Sequence, residues 1–296
     1  AAAETGATIY VGAVMVDAPP APWEPKISRD WNSGMLRILH DKADYFVVHD
    51  YFTPYNKNAG AAEILYDAAT VPGRVMSHVQ RSLQEAGAAV RPVAMDEWNM
   101  FAAGSRQQVS NVSGLFGVLV VGEALRNKFG LAARWDLMNG WAGGNDHGLF
   151  SAGDEPGVRR WAPRPSFYYL YYLQRMMGDR LIGCRIQGDT AIRAYASRFS
   201  SGEVAAALVN TSTTPVAVAV DLHRIRTAKR YYWYSLQGGD DNGEFSARVI
   251  VNGTGPGGAA GGPADYATLK AFTADVSGGV RVTVPARGAV FLVVGK

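Results

Sequence analysis

The 296-residue chain has a single cysteine, Cys184, which excludes an intrachain disulfide and any cysteine-based metal site. No apolar run approaches the ~20 residues of a membrane span. No charged stretch followed by an apolar one opens the chain, so no signal peptide is visible. The formal net charge is only +3 and is spread along the chain. Without a dense Lys/Arg run, neither a nucleic acid nor an anionic membrane is an expected partner. No Gly-X-Gly-X-X-Gly and no phosphate loop follows any strand-like run, which argues against a nucleotide-binding α/β enzyme. No cofactor and no metal is implied.

What is present is ordinary globular material, 48% hydrophobic and 19% charged, enough for a sizeable core in one large domain or two smaller ones. Residues 8–14 form a near-continuous apolar run, as in a strand buried on both faces. A Pro- and Trp-rich loop follows, then a helical pattern over 31–42 with Trp31, Met35, Ile38 and Leu39 on one face. Residues 44–49 repeat the buried-strand pattern and end at His49-Asp50-Tyr51. A long helical stretch covers about 60–87, with a break expected at Pro72-Gly73. A third strand, Val93-Ala94-Met95, runs into Asp96-Glu97-Trp98-Asn99. Helix is predicted over 111–128, strand over 131–138 ending near Asn139-Gly140-Trp141, and helix over 166–177.

Strand and helix thus alternate four times, which predicts a parallel sheet with right-handed crossovers. After Gly178 the pattern changes to short β-rich runs at 191–197, 204–209, 216–222, 231–236, 248–251, 279–284 and 290–294. Turn residues separate them, as in an antiparallel sandwich. The division is placed near Arg180, giving a partial (β/α) barrel over 1–180 and a β-sandwich over 181–296.

In a parallel sheet of this kind the C-terminal strand ends share one face, where (β/α) enzymes keep their chemistry. Those ends supply Asp17, then His49 and Tyr51, then Glu97, Trp98 and Asn99, then Asn139 and Trp141. Carboxylate, imidazole, amide and aromatic groups on one rim suit a carbohydrate: rings stack on the apolar faces of sugars while polar groups bond the hydroxyls. Each residue also has a plain structural reading. Asp96-Glu97 could cap or solvate a strand end, His49 could be a hydrogen-bonded structural histidine, and Tyr51 and Trp141 could be packing aromatics. Asn145-Asp146-His147, in a Gly-rich loop, reads as a turn rather than a metal site. The tyrosines around 168–172 read as core. Three Asn-X-Ser/Thr triplets, at Asn111, Asn210 and Asn252, are short enough to arise by chance.

Asp96-Glu97-Trp98-Asn99 resembles the nucleophile strand of the retaining glycoside hydrolases built on (β/α)8 barrels, and is most similar to that of the α-L-arabinofuranosidase family, with β-xylosidases as near neighbours. The resemblance implies half of a TIM barrel, strands five to eight, followed by a β-sandwich. It implies Glu97 as the nucleophile, with His49, Tyr51, Trp98, Asn99 and Trp141 holding the sugar. Val48-His49-Asp50-Tyr51 is similar to the end of strand six in that clan, and Trp141 to a tryptophan at the end of strand eight. Its implied substrates are plant- or algal-type poly- and oligosaccharides or glycosides, and its implied location leans to the periplasm or cell exterior.

One element of the clan is missing. The acid/base glutamate there follows an asparagine at the end of strand four, and no Asn-Glu dipeptide occurs in these 296 residues. Retention needs two carboxylates. The acid/base is therefore expected from outside the chain or from an oligomeric partner, with Asp17, Glu24 and Asp146 as weaker candidates within it. Four barrel strands also leave two open sheet edges, which invite pairing: a separate N-terminal half-barrel, a longer parent chain, or a homo-oligomer. The alternative from another functional class is a carbohydrate-binding or catalytically inactive half-barrel.

Overall fold

The computed structural model describes residues 2–39, 41–55, 57–104, 106–222, 229–241 and 243–295. The chain divides into two compact units. The first comprises Ala1–Phe52, Ala69–Asn99 and Glu123–Trp135, the second Thr53–Ala68, Met100–Gly122 and Asp136–Lys296.

After a short helix α1 (Ala2–Thr5), the first unit is built on strands β1 (Gly12–Val14), β2 (Tyr45–Tyr51), β3 (Val93–Asn99) and β4 (Leu131–Arg134), with helices α2 (Lys26–Arg29) and α3 (Trp31–Leu39) between β1 and β2. The four strands pair in that order, all parallel. Parallel strands covered on both faces read as unbroken apolar runs, and Phe46, Val47 and Val48 on β2 are all buried. Strand β1 approaches β2 closely because Gly12 has no side chain; a Cβ there would stand 2.5 Å from the Tyr45 ring. The outer strands each pair on one side only among the described residues. Strand β1 is shorter than the expected 8–14 and is not buried on both faces: Ile9, Tyr10 and Val11 before it and Val14 within it are exposed, as is Leu131 on β4.

Helix α4 (Ala61–Glu85) connects β2 to β3 and α5 (Asn111–Arg126) connects β3 to β4. The break expected at Pro72 does not occur: α4 is continuous with Pro72 inside it. An interior proline costs ~3 kcal/mol through the lost N–H and the ring clash. One unbroken buried face, Ile64, Leu65, Ala68, Val71, Val75, Val79 and Leu83, offsets it, since each fully buried aliphatic side chain contributes roughly 1.5–3 kcal/mol. Helix α5 is apolar all round, the pattern of a buried helix; Val112, Leu115, Phe116, Val118, Leu119 and Val120 are fully buried.

In the second unit, β5 (Met138–Asn139) pairs with β6 (Phe150–Ser151), and α6 (Pro165–Met176) follows. Strand β4 is therefore shorter than the expected 131–138. The chain leaves the sheet after Trp135 because Asp136 and Leu137 bond the backbone of 147–150 instead. Helix α6 buries Tyr168, Tyr169 and Tyr172, as their pattern suggests. The β-rich remainder holds β7 (Arg180–Ile182), β8 (Ile192–Arg198), β9 (Val204–Asn210), β10 (Val216–Val220), β11 (Arg230–Gly238), β12 (Val249–Val251), β13 (Phe272–Asp275), β14 (Val280–Val284) and β15 (Gly288–Val294). All seven strands expected from sequence are present. They form an antiparallel sheet in the order β12-β11-β15-β9-β8-β7, with β13 also on β11, facing a β10–β14 pair. Between them lies a core that includes Ile192, Leu208, Val282, Val284, Val290 and Leu292. Inward and outward residues alternate on β14, as one buried face requires. Asn111 and Asn210, two of the three triplet asparagines, are buried and bonded to backbone carbonyls.

Candidate active site

The parallel strands of the first unit end in polar and aromatic residues, and one irregularity arranges them. Along β2 and β3, Val48 pairs with Met95 but His49 pairs with Glu97; along β3 and β4, Met95 pairs with Ala132 but Trp98 with Arg134. Asp96 is thus an extra residue relative to both neighbours, a β-bulge. Consecutive strand residues ordinarily point to opposite faces, and a bulge re-aims the side chains beside it. Here it brings both members of the acid pair to His49: the imidazole Nε2 lies 2.8 Å from Asp96 Oδ1, and Nδ1 lies 3.6 Å from Glu97 Oε2. An ionised carboxylate only accepts hydrogen bonds, so Nε2 carries a proton directed at Asp96. That bond sets the tautomer and orientation of the ring.

The other carboxylate oxygen of Glu97 accepts a hydrogen bond. The Tyr51 hydroxyl, two residues beyond His49, donates to Glu97 Oε1 at 2.7 Å. The Glu97 side chain is 27% exposed, oriented by that hydrogen bond yet open to an approaching molecule. A carboxylate so fixed, at the C-terminal end of a parallel strand, can attack an electrophilic carbon or stabilise a developing cation.

Trp98 and Asn99 stand elsewhere. Trp98 is 1% exposed and Asn99 fully buried. The Asn99 side-chain amide donates to the Trp135 carbonyl, the Trp135 N–H donates to the Trp98 carbonyl at 3.0 Å, and the Phe52 N–H to the Asn99 carbonyl at 2.9 Å. These bonds fasten the end of β3 to its neighbours directly behind Glu97.

Trp141 belongs to the second unit. Its backbone N–H donates to Asp154 at 2.9 Å, and the guanidinium carbons of Arg106 and Arg164 lie 5.4 and 5.5 Å from its ring centroid. Arg164 is buried and pairs with two buried carboxylates, Asp146 at 2.6 Å and Glu155. Burial pushes the Asp146 carboxyl up, against the Gly148 N–H and the Arg164 charge, which draw it down. Asn145-Asp146-His147 is accordingly a loop pinned from inside: Asp146 also accepts from the Gly148 N–H at 2.8 Å. Glu24, another weak candidate for a second carboxylate, accepts from the Ala21 N–H within its own turn. Among the described residues, no group of three or more His, Cys, Asp or Glu is placed to hold a metal ion, and no helix is long and apolar enough to cross a membrane.

No protein-family model matches the sequence, and no curated protein sequence matches it. Solved structures do match. An arabinofuranosidase is 16% identical with a TM-score of 0.65, the match covering 97% of this chain and 58% of that one. A thermostable GH51 α-L-arabinofuranosidase from Thermotoga petrophila RKU-1 is 16% identical with a TM-score of 0.64, covering 98% and 58%. A monomeric β-xylosidase from Caulobacter crescentus CB15 is 14% identical with a TM-score of 0.56, covering 90% and 59%. This is the fold of the C-terminal half of a barrel glycoside hydrolase. The glycoside hydrolase fold accounts for the four parallel strands and for the β-sandwich after them, and this chain spans about 58% of the length of the first two of those structures. Asp96 is the residue of this fold that the sequence reading left without a role. Its signal was present, two consecutive acids where strand alternation would separate them, but the bulge that unites them arises from pairing with β2 and β4.

Proposed function

We propose that this chain is the nucleophile-bearing half of a retaining glycoside hydrolase acting on plant- or algal-type poly- and oligosaccharides or glycosides. Glu97 attacks the anomeric carbon and forms a covalent glycosyl-enzyme intermediate. The observation that carries this reading is the pair of contacts on Glu97, the Tyr51 hydroxyl on one oxygen and the His49 imidazole beside the other. His49 and Tyr51 orient the nucleophile at the open rim, and Trp98 and Asn99 fix the strand end beneath it. Trp141 is assigned to the sugar as well. The acid/base carboxylate comes from a separate N-terminal half-barrel, from further chain, or from an oligomeric partner. The open edges of β1 and β4 are where such strands would add. The barrel part ends near residue 180, with the sandwich over 181–296.

Glu97→Gln tests the assignment, since the amide keeps the shape and removes the nucleophilic charge. Turnover of aryl glycosides should be lost while sugar binding remains measurable; undiminished turnover would overturn it.

A further inference from the structure

The loop carrying Arg159, Arg160 and Trp161 has features that the fold and the candidate site leave unused. Trp161 has φ +65°, the left-handed region in which a Cβ crowds the backbone and where bulky residues are outliers. Neighbouring backbone holds it there: the Trp161 N–H donates to the Ser151 carbonyl at 2.8 Å, and the Ser151 N–H to the Ala162 carbonyl at 3.0 Å. Gly153, itself at φ +90°, faces this turn so closely that a Cβ would stand 2.8 Å from Arg160 Cβ.

The outcome is an indole 53% exposed to solvent. The Phe150 ring supports it edge-on at 6.3 Å between centroids, and the Arg160 guanidinium carbon lies 5.6 Å from its centroid. Among the described residues, no carboxylate pairs with Arg159 or Arg160. Packing does not account for a strained tryptophan whose ring is left half in water. Strain of this kind persists where the surroundings fix it, and it collects at ligand-contacting positions.

We propose that Arg160 and Trp161 form a binding point for a saccharide carrying a carboxylate, such as a uronic acid residue in an oligosaccharide. The indole offers a flat apolar surface for the C–H face of the sugar ring. The guanidinium, which lies over the same ring, offers paired donors for the carboxylate, a geometry that lysine lacks. A neutral sugar gains the stacking alone. The site lies wholly within the second unit and depends neither on Glu97 nor on hydrolysis.

Calorimetric titration of the full chain with xylotetraose bearing one glucuronic acid, and with plain xylotetraose, tests this. The acidic probe should bind at least tenfold more tightly, and 0.5 M salt should remove most of that difference. Trp161→Ala should weaken both probes by tenfold or more. Arg160→Ala, which leaves the backbone turn in place, should bring the acidic probe to the level of the neutral one, with only partial recovery in Arg160→Lys. None of these readouts is turnover, so a failure of the hydrolase reading leaves this result standing. Equal affinity for the two probes, no binding of either, or unaltered binding in Arg160→Ala would each overturn the proposal.

Discussion

Tyr51→Phe removes the phenol oxygen and with it the 2.7 Å hydrogen bond donated to Glu97 Oε1. Two effects oppose each other. Losing a donor leaves the carboxylate more basic and so intrinsically more nucleophilic, but it also frees the carboxylate to rotate away from the attacking orientation. A hydrogen bond to a charged group contributes about 1.5–3 kcal/mol, and the partial exposure of Glu97 places this one toward the lower end. Orientation of reacting groups governs far larger factors than a small change in basicity, so the positional loss wins. At 1.36 kcal/mol per tenfold, the attack step should slow by about 10- to 30-fold. The assay is the rate of covalent labelling by a 2-deoxy-2-fluoro glycoside with a dinitrophenolate leaving group, followed by intact mass. That leaving group departs without a proton, so the measurement does not require the acid/base carboxylate. Labelling of Tyr51→Phe as fast as the parent, or faster, would refute the reasoning.

Other consequences concern stability. Arg164→Ala leaves Asp146 and Glu155 buried without their cation, which should cost about 3–5 kcal/mol by urea denaturation; a cost below about 1 kcal/mol would contradict the buried cluster. Gly122→Ala on α5 places a Cβ 2.4 Å from the Tyr195 ring, and overpacking of about 1–3 kcal/mol should lower the unfolding midpoint. Burial, ahead of the charge of Arg81, holds the His78 imidazole below its ordinary 6.5, while Asp17 and Glu85 oppose the shift. The unfolded chain therefore binds that proton more readily: stability is intact above about pH 6.5 and falls as pH drops through the lower folded value. The Asn32 amide nitrogen, 3.3 Å from Nε2, needs that nitrogen unprotonated as its acceptor. Urea midpoints at pH 7.5 and 5 should differ more in the parent than in His78→Gln; an equal difference would remove His78 from the explanation.

The architecture was legible because it rests on local periodicity. Buried parallel strands announce themselves as apolar runs, and the change from alternating helix and strand to short strands marks the second part. What escaped depends on contacts distant in sequence. Pro72 looks like a break until the apolar face on both sides of it is seen to continue. Residues 131–138 read as one strand, yet the backbone of 147–150 draws Asp136 and Leu137 away. At the candidate site the residue types were readable and their geometry was not. Trp98-Asn99 reads the same whether it faces a sugar or the core, and the bulge at Asp96 is settled by strands on either side. The strain at Trp161 leaves no trace in composition or periodicity.

The central claim is that Glu97 forms a covalent bond to the sugar, and peptide mapping after trapping tests it most directly. The chain, supplied with an N-terminal half if one is required, is treated with a 2-deoxy-2-fluoro arabinofuranosyl or xylosyl dinitrophenolate and digested. The account predicts a single added glycosyl mass on the peptide containing Asp96-Glu97-Trp98-Asn99, placed on Glu97 by fragmentation and absent in Glu97→Gln. Stoichiometric labelling at another carboxylate, or equal labelling in Glu97→Gln, would contradict it.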